Sequence, residues 1–116
     1  MRTFAYARPL GVEEAAAALS QPTARAMGGG TDLLTQQDRG ILAAESVVDL
    51  RGLGLDAVAA EGEGVRIGAS VTLADLGRDQ AIHERFAVLH QAASAAASPQ
   101  LREMGTVGGN LCQQVR

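Results

Sequence analysis

The chain has 116 residues, of which 47% are hydrophobic and 3% aromatic, so it can build one aliphatic, alanine-rich core. Its net charge is −3, and its basic residues are all arginines scattered singly along the chain, which excludes the clustered basic surface of a nucleic-acid-binding protein. Its single cysteine, Cys112, excludes an intrachain disulfide and a multi-cysteine metal site within the chain. No apolar run reaches the roughly 18 residues of a membrane helix, and the N-terminus lacks a signal-peptide pattern. We therefore expect a cytoplasmic protein without a membrane span, exported only if a partner carries it.

The first fifty residues predict a small α/β unit with parallel strand pairing. After the first strand, "GVEEAAAALS" (11–20) has apolar residues at helical spacing and two glutamates in its first turn, where the helix dipole favours acids. After the second strand, "TDLLTQQ" (31–37) can begin a helix with Thr31 as the N-cap. The three short strands are expected at residues 3–7, 24–27 and 46–50.

The second half changes in character and predicts a hairpin followed by helices. The hairpin has strands near 57–60 and 65–69 and a turn at 61–64. Thr72 and Asp75 have the spacing of a capping box. A longer helix is expected over about 84–97, with one apolar face formed by Phe86, Leu89, Ala93 and Ala96.

Two glycine-bearing stretches stand out, "RAMGGGTDLL" (25–34) and "GTVGGNL" (105–111). Each can be a tight turn that needs positive φ, with Asn110 capping a helix in the second stretch. Each can equally be a cradle in which bare backbone N–H groups converge on an anion such as a phosphate. The three consecutive glycines of the first stretch match the spacing of neither a Rossmann nor a P-loop fingerprint. Two such stretches in one small chain favour a shared ligand.

Four motifs occur in a characteristic order: "FAYARP", "GGGTDLL", "VRIGASVTLADL" and "SPQLREMGTVGGNL". In order and spacing, the chain resembles the N-terminal half of the FAD-binding subunit of molybdenum hydroxylases, the group of xanthine dehydrogenase, carbon monoxide dehydrogenase and aldehyde oxidoreductase. The resemblance implies an α+β (α/β) fold of the PCMH-type FAD-binding class. It divides the chain into a first α/β subdomain over 1–54 and an incomplete second α+β subdomain over 55–116. The family's flavin domain continues for about another hundred residues, so we expect a truncated or split chain.

The resemblance also implies which residues hold FAD. The second stretch would contribute Thr106, Val107, Gly108, Gly109 and Asn110, and Ala97 would line the flavin side. Asp32 is awkward beside a diphosphate, so its carboxylate is expected to turn toward the helix start or a ribose hydroxyl. The first stretch would contribute Arg25, Ala26, Met27, Gly28, Gly29, Gly30, Thr31, Asp32 and Leu33.

The function implied by the resemblance is electron transfer in an FAD-dependent oxidoreductase. Electrons would leave a molybdenum cofactor on a large subunit, pass through 2Fe–2S clusters on a small subunit, reach FAD here and leave to an external acceptor. No side chain of this chain would be catalytic, and none would bind a metal. Two alternatives stay open: a non-catalytic binding or assembly fragment, and an unrelated α/β nucleotide-binding protein.

Three residues with possible chemistry are better explained by structure. His90 lies near the apolar face of its expected helix and reads as a partly buried structural histidine. His83 is expected at the surface. Cys112 is expected to be a small buried hydrophobe.

Overall fold

The computed structural model describes residues 2–114 and has a mixed α and β fold. A three-stranded sheet occupies the first half, and a two-stranded hairpin followed by short helices occupies the second. The elements run in chain order as β1 (Ala5–Ala7), α1 (Val12–Leu19), β2 (Ala24–Met27), α2 (Leu33–Asp38), β3 (Ser46–Asp49), β4 (Val58–Glu61), β5 (Gly64–Ile67), α3 (Leu73–Arg78), α4 (Gln80–Arg85), α5 (Ala87–Ala95), α6 (Pro99–Met104) and α7 (Val107–Leu111).

The first sheet is parallel throughout, with the order β1-β3-β2, so the last strand in sequence lies in the centre. Val47 and Val48 of β3 are almost fully buried, because a central parallel strand is covered on both faces. Met27, Ala44 and Val47 form the buried core beneath this sheet. The predicted parallel pairing is confirmed.

A buried carboxylate fixes the end of β3. Asp49 is fully buried, and it accepts hydrogen bonds from the Arg51 side chain at 2.9 and 3.0 Å, from the Arg51 backbone N–H at 2.9 Å, and from the Tyr6 hydroxyl. The bonds from Arg51 hold the pKa of the Asp49 carboxyl well below its usual range, against the opposing effect of burial. Asp49 also pairs in register with Met27. The hydrogen bonds to Asp49 therefore hold the end of β3 beside Met27, the residue that precedes the three glycines.

The second half packs its hairpin and helices around a separate core. Val71, Leu76, Ile82 and Ala93 are its buried members, and the hairpin covers them with partly buried side chains. The hairpin turns through Gly62 at φ 59°, which suits the first position of a two-residue turn. This organisation agrees with the predicted hairpin; the division at residue 54 stays a prediction.

The prediction of one long helix over 84–97 is wrong, because the helix is interrupted at Phe86. That residue has φ −132° and ψ 61°, so the segment forms α4 and α5 instead of one helix. The break lets the Phe86 side chain pack against the second core. The helix also ends at Ala95, two residues early.

Two further expectations are corrected. Thr31 is not the N-cap of α2: Asp32 occupies that position without a side-chain capping bond, while the Thr31 carbonyl accepts from the Thr35 hydroxyl at 3.0 Å. Cys112 is exposed, not buried. By contrast, Thr72 does cap α3, accepting from the Asp75 backbone N–H at 3.0 Å. Across the described residues, none of the helices combines the length and apolarity needed to cross a bilayer.

Candidate functional site

The two glycine stretches face one cavity of about 390 Å³. All but two of the residues proposed from the resemblance line it; Val107 and Gly108 do not. Val107 packs against the second core instead. A Cβ on Gly108 would lie 2.9 Å from the Ala69 carbonyl oxygen, so that glycine serves close backbone packing. The structure thus brings together most of the predicted set and removes two members from the cavity wall.

The first stretch is held against the second by direct backbone contact. A Cβ on Gly29 would overlap the Met104 carbonyl oxygen and lie 3.2 Å from the Gly105 nitrogen. A Cβ on Gly28 would overlap the Thr106 hydroxyl. Only glycine fits at these two positions, since any side chain would push the stretches apart. Both glycines therefore have a packing role that the sequence pattern did not reveal.

Gly30 has a different requirement. Its φ is 77°, in the left-handed region that L-residues avoid and glycine adopts readily. This conformation turns the chain from β2 into α2, and the Gly30 carbonyl accepts from the Leu34 N–H at 3.1 Å. The expectation of a tight turn is thus confirmed for Gly30.

The backbone N–H groups of the first stretch have no acceptor within the described chain. Among residues 2–114, no backbone or side-chain atom accepts a hydrogen bond from the N–H of Gly28, Gly29, Gly30 or Thr31. These residues are half-buried and line the cavity. Half-buried donors without a partner are costly unless water or a ligand satisfies them. The stretch is therefore suited to receive an acceptor-rich group.

The second stretch is fixed to the segment before α3. Residues 105–108 pair antiparallel with 69–73, through the bonds Leu73 N to Gly105 O at 3.0 Å and Val107 N to Val71 O at 2.8 Å. Thr106 is buried and caps α7 by accepting from the Gly109 N–H at 3.1 Å. Thr106, and not Asn110, is thus the helix cap. The Asn110 side chain is exposed in the cavity wall and bonds to no atom of residues 2–114.

Charged side chains contribute little to the cavity wall. Among the described residues, Arg25 and Asp32 are its charged members. The Arg25 guanidinium donates to the Pro22 and Ala24 carbonyl oxygens, both at 2.8 Å. The Asp32 carboxylate accepts from the side-chain amide of Gln36 on α2, another residue of the cavity wall. Any anion held here would be held mainly by neutral donors.

Comparison with known proteins settles the family. A family model described as the FAD binding domain in molybdopterin dehydrogenase matches residues 2–116. The chain belongs to this family. Its resemblance to the FAD-binding subunits of molybdenum hydroxylases is thereby confirmed, as is the mixed α and β fold class.

Individual members of the FAD-binding-domain family match along nearly the whole chain. The FAD-binding subunit PaoB of an aldehyde oxidoreductase from Escherichia coli (strain K12) is 38% identical over 118 residues, which cover 100% of this chain and 37% of that protein. The carbon monoxide dehydrogenase medium chain of Afipia carboxidovorans is 33% identical over 111 residues, covering 93% of this chain and 38% of that one. A solved carbon monoxide dehydrogenase from Hydrogenophaga pseudoflava superimposes with a TM-score of 0.92 at 32% identity, over 95% of this chain and 39% of that one. The chain thus spans less than two-fifths of the length of these relatives.

Several cavity residues of this family member were missed by sequence reasoning. Gly105 begins the second stretch, Leu101 lies four residues before it, and Cys112, Gln113 and Gln114 follow it directly, so extending the stretch in both directions would have found them. Gln36, Leu42 and Leu73 reach the cavity from other segments through tertiary packing. The missed residues are Gln36, Leu42, Leu73, Leu101, Gly105, Cys112, Gln113 and Gln114.

Proposed function

We propose that this chain binds FAD in the cavity between its two glycine stretches, as the N-terminal part of the flavin subunit of a molybdenum-hydroxylase-type oxidoreductase. The observation that carries the proposal is the run of N–H groups from Gly28 to Thr31 without an acceptor among residues 2–114, in a cavity shared with Thr106 and Asn110. A diphosphate offers many acceptor oxygens, so it fits a wall of neutral donors. Two side chains can add to this set, the Thr106 hydroxyl as a donor and the Asn110 amide as donor or acceptor.

The chain's own residues would bind and orient the cofactor. The first stretch would hold acidic oxygens by backbone donors, whose positions are fixed by the contact of Gly29 with the Met104 carbonyl group. Thr106 keeps its capping bond to Gly109 while its hydroxyl hydrogen stays available for a ligand. Bound FAD would supply the redox chemistry, taking electrons from iron–sulfur clusters and passing them to an external acceptor. No described side chain of this chain needs to act as an acid, base or nucleophile.

The partners are proposed from the relatives. Those relatives are named as FAD-binding subunits or medium chains of larger enzymes. We infer that a large subunit with the molybdenum cofactor and a small subunit with 2Fe–2S clusters assemble with the flavin subunit to which this chain corresponds. We also keep the two-subdomain division at residue 54 as part of this proposal. Leu101 and Met104 are 47% and 46% exposed beside the cavity, which favours a covering partner segment there.

The test uses the chain's single cysteine as a reporter. Cys112 is exposed and lines the cavity. Bound FAD should therefore slow the reaction of Cys112 with a thiol reagent, while quenching of flavin fluorescence reports the same binding event. ADP should protect if the dinucleotide's diphosphate half is what the cavity recognises, and riboflavin should protect poorly. Absence of both quenching and protection at millimolar FAD would refute the proposal.

Asn110→Ala supplies the matched variant. The Asn110 side chain bonds to no described atom, so its removal should leave the fold unchanged and weaken FAD binding. Gln91→Ala removes an exposed amide outside the cavity and serves as the control.

Two other results would favour the alternative functions. Stronger protection by ATP or NAD than by FAD indicates a different nucleotide, and absence of binding by a folded chain indicates an assembly fragment.

A further inference from the structure

The turn between α5 and α6 contains a residue in an unfavourable backbone conformation. Ala97 has φ 52°, and no other non-glycine residue in the described part of the chain has a positive φ. Left-handed backbone brings the Cβ of an L-residue too close to a carbonyl oxygen, so such residues persist only where the surroundings hold them. Ala97 also lines the cavity. The strained turn is therefore part of the proposed site.

Arg102 holds this turn from behind the cavity wall. Its Nη1 donates to the Ala96 carbonyl oxygen at 3.0 Å and to the Ala97 carbonyl oxygen at 3.1 Å. Its backbone N–H donates to the Ser98 carbonyl oxygen at 3.0 Å. Arg102 itself does not line the cavity between the glycine stretches. Its guanidinium thus bonds to the carbonyl oxygens of the two peptide groups that flank Ala97, without lining the cavity.

The turn is directly connected to the second glycine stretch. Helix α6 begins after Ser98, whose hydroxyl accepts from the Leu101 N–H at 3.2 Å. The helix ends with the Gly105 N–H donating to the Leu101 carbonyl oxygen at 2.7 Å, immediately before Thr106. A rearrangement at Ala97 would therefore move the start of a six-residue helix whose end places Thr106.

We propose that Arg102 is a positioning residue for the cofactor cavity: it keeps Ala97 in the left-handed conformation and thereby sets the wall formed by Ala97 and the start of the second glycine stretch. This inference rests on the proposed function, because its consequence is measured as FAD affinity. The preference of L-residues against left-handed backbone corresponds to about 5- to 30-fold in an equilibrium constant. Loss of Arg102 should weaken FAD binding by a factor in that range.

The conformational part is tested first, without ligand, by NMR of the purified chain. A strong intraresidue NOE between the amide proton and Hα distinguishes positive φ from helical or extended backbone. The unaltered chain should show this signal at Ala97, and Arg102→Ala should lose it. Retention of the signal in Arg102→Ala overturns the proposal, as does its absence from the unaltered chain.

The binding part uses a double-mutant cycle. Ala97→Gly removes the penalty for left-handed backbone, since glycine adopts it readily. Removal of Arg102 should therefore raise the Kd for FAD about 5- to 30-fold with alanine at position 97, and less than about threefold in the A97G background. Equal increases in the Kd for FAD with alanine and with glycine at position 97 would mean that Arg102 acts only through its charge. That result would overturn the proposal. Arg78→Ala is the control, because Arg78 pairs with Glu103 of α6 without touching the turn.

Failure of the variants and failure of the proposed function give different results. If Arg102→Ala does not fold, Arg102→Met retains the apolar stem and takes its place. If neither folds, recovery of the fold by Ala97→Gly supports the proposal, and lack of recovery overturns it. Absence of FAD binding by the unaltered chain refutes the proposed function, and the affinity part of this inference with it. FAD binding that is insensitive to Arg102 overturns this inference alone.

Discussion

Gly29→Ala should destabilise the chain even in the absence of a cofactor. The added methyl group would overlap the Met104 carbonyl oxygen, and neither partner is the end of a flexible side chain. To restore ordinary van der Waals contact, the two backbones would have to separate by roughly 1–2 Å. Overpacking of this kind costs about 1–3 kcal/mol in free energy of unfolding. With a urea dependence of about 1–3 kcal/mol per molar, the midpoint should fall by about 1 M.

The assay is urea unfolding followed by far-UV circular dichroism, with Gly64→Ala as the matched control. A Cβ on Gly64 would meet the Glu61 carbonyl oxygen at 3.4 Å, an ordinary contact, and neither glycine has positive φ. The control should therefore unfold close to the unaltered chain. Equal midpoints for the two variants would mean that the glycine stretches do not touch in solution. The reasoning about their contact would then fail. If Gly29 served only to let a ligand approach, Gly29→Val would weaken FAD binding and leave the free energy of unfolding unchanged. Because of the contact with Met104, we expect Gly29→Val to lower the free energy of unfolding as well.

Further predictions concern the second stretch and the buried carboxylate. Replacing Thr106 or Asn110 by alanine should weaken FAD binding by about 1–3 kcal/mol, the cost of an unpaired buried partner, and calorimetry showing no change for either would make this stretch purely structural. Thr106→Ala should also lower the free energy of unfolding by about 1 kcal/mol through the lost cap to Gly109, which Asn110→Ala should not do. The depressed pKa of Asp49 means that its ionised form stabilises the fold above the ordinary aspartate pKa. That stabilisation is lost as the pH falls through the folded-state pKa, so thermal unfolding should show an acid-side decline that Asp49→Asn removes.

Sequence reasoning succeeded where one short segment carries its own signal. The strand Ala24–Met27 has its predicted bounds, because it ends where the three glycines begin. Thr72 caps its helix as its spacing with Asp75 predicts. Two local expectations failed. The predicted long helix is interrupted where the Phe86 side chain packs against the second core. The N-cap position of α2 falls on Asp32, one residue later than the Thr31 that its residue type favours.

The candidate site divides in the same way. The motifs identified the two glycine stretches, and most of their residues do line one cavity. No local pattern could show that Gly28 and Gly29 pack against the second glycine stretch and the residue before it, since residues so distant in sequence meet only after folding. The exposure of Cys112 has a similar origin, because its burial depends on what packs over α7 and not on its residue type. Whether these residues bind FAD stays a prediction.

The central position of β3 has a consequence for biosynthesis. Neither β1 nor β2 has a hydrogen-bonding neighbour until Ser46–Asp49 has been made, because β3 lies between them. The contact of Tyr6 with Asp49 spans 43 residues. Pairings between residues so distant form slowly, because loop closure costs entropy before any contact rewards it. The nascent first half would therefore leave the ribosome with two unpaired strands, then close into a sheet once its last strand emerges. Chaperone binding or off-pathway pairing should be concentrated in that interval.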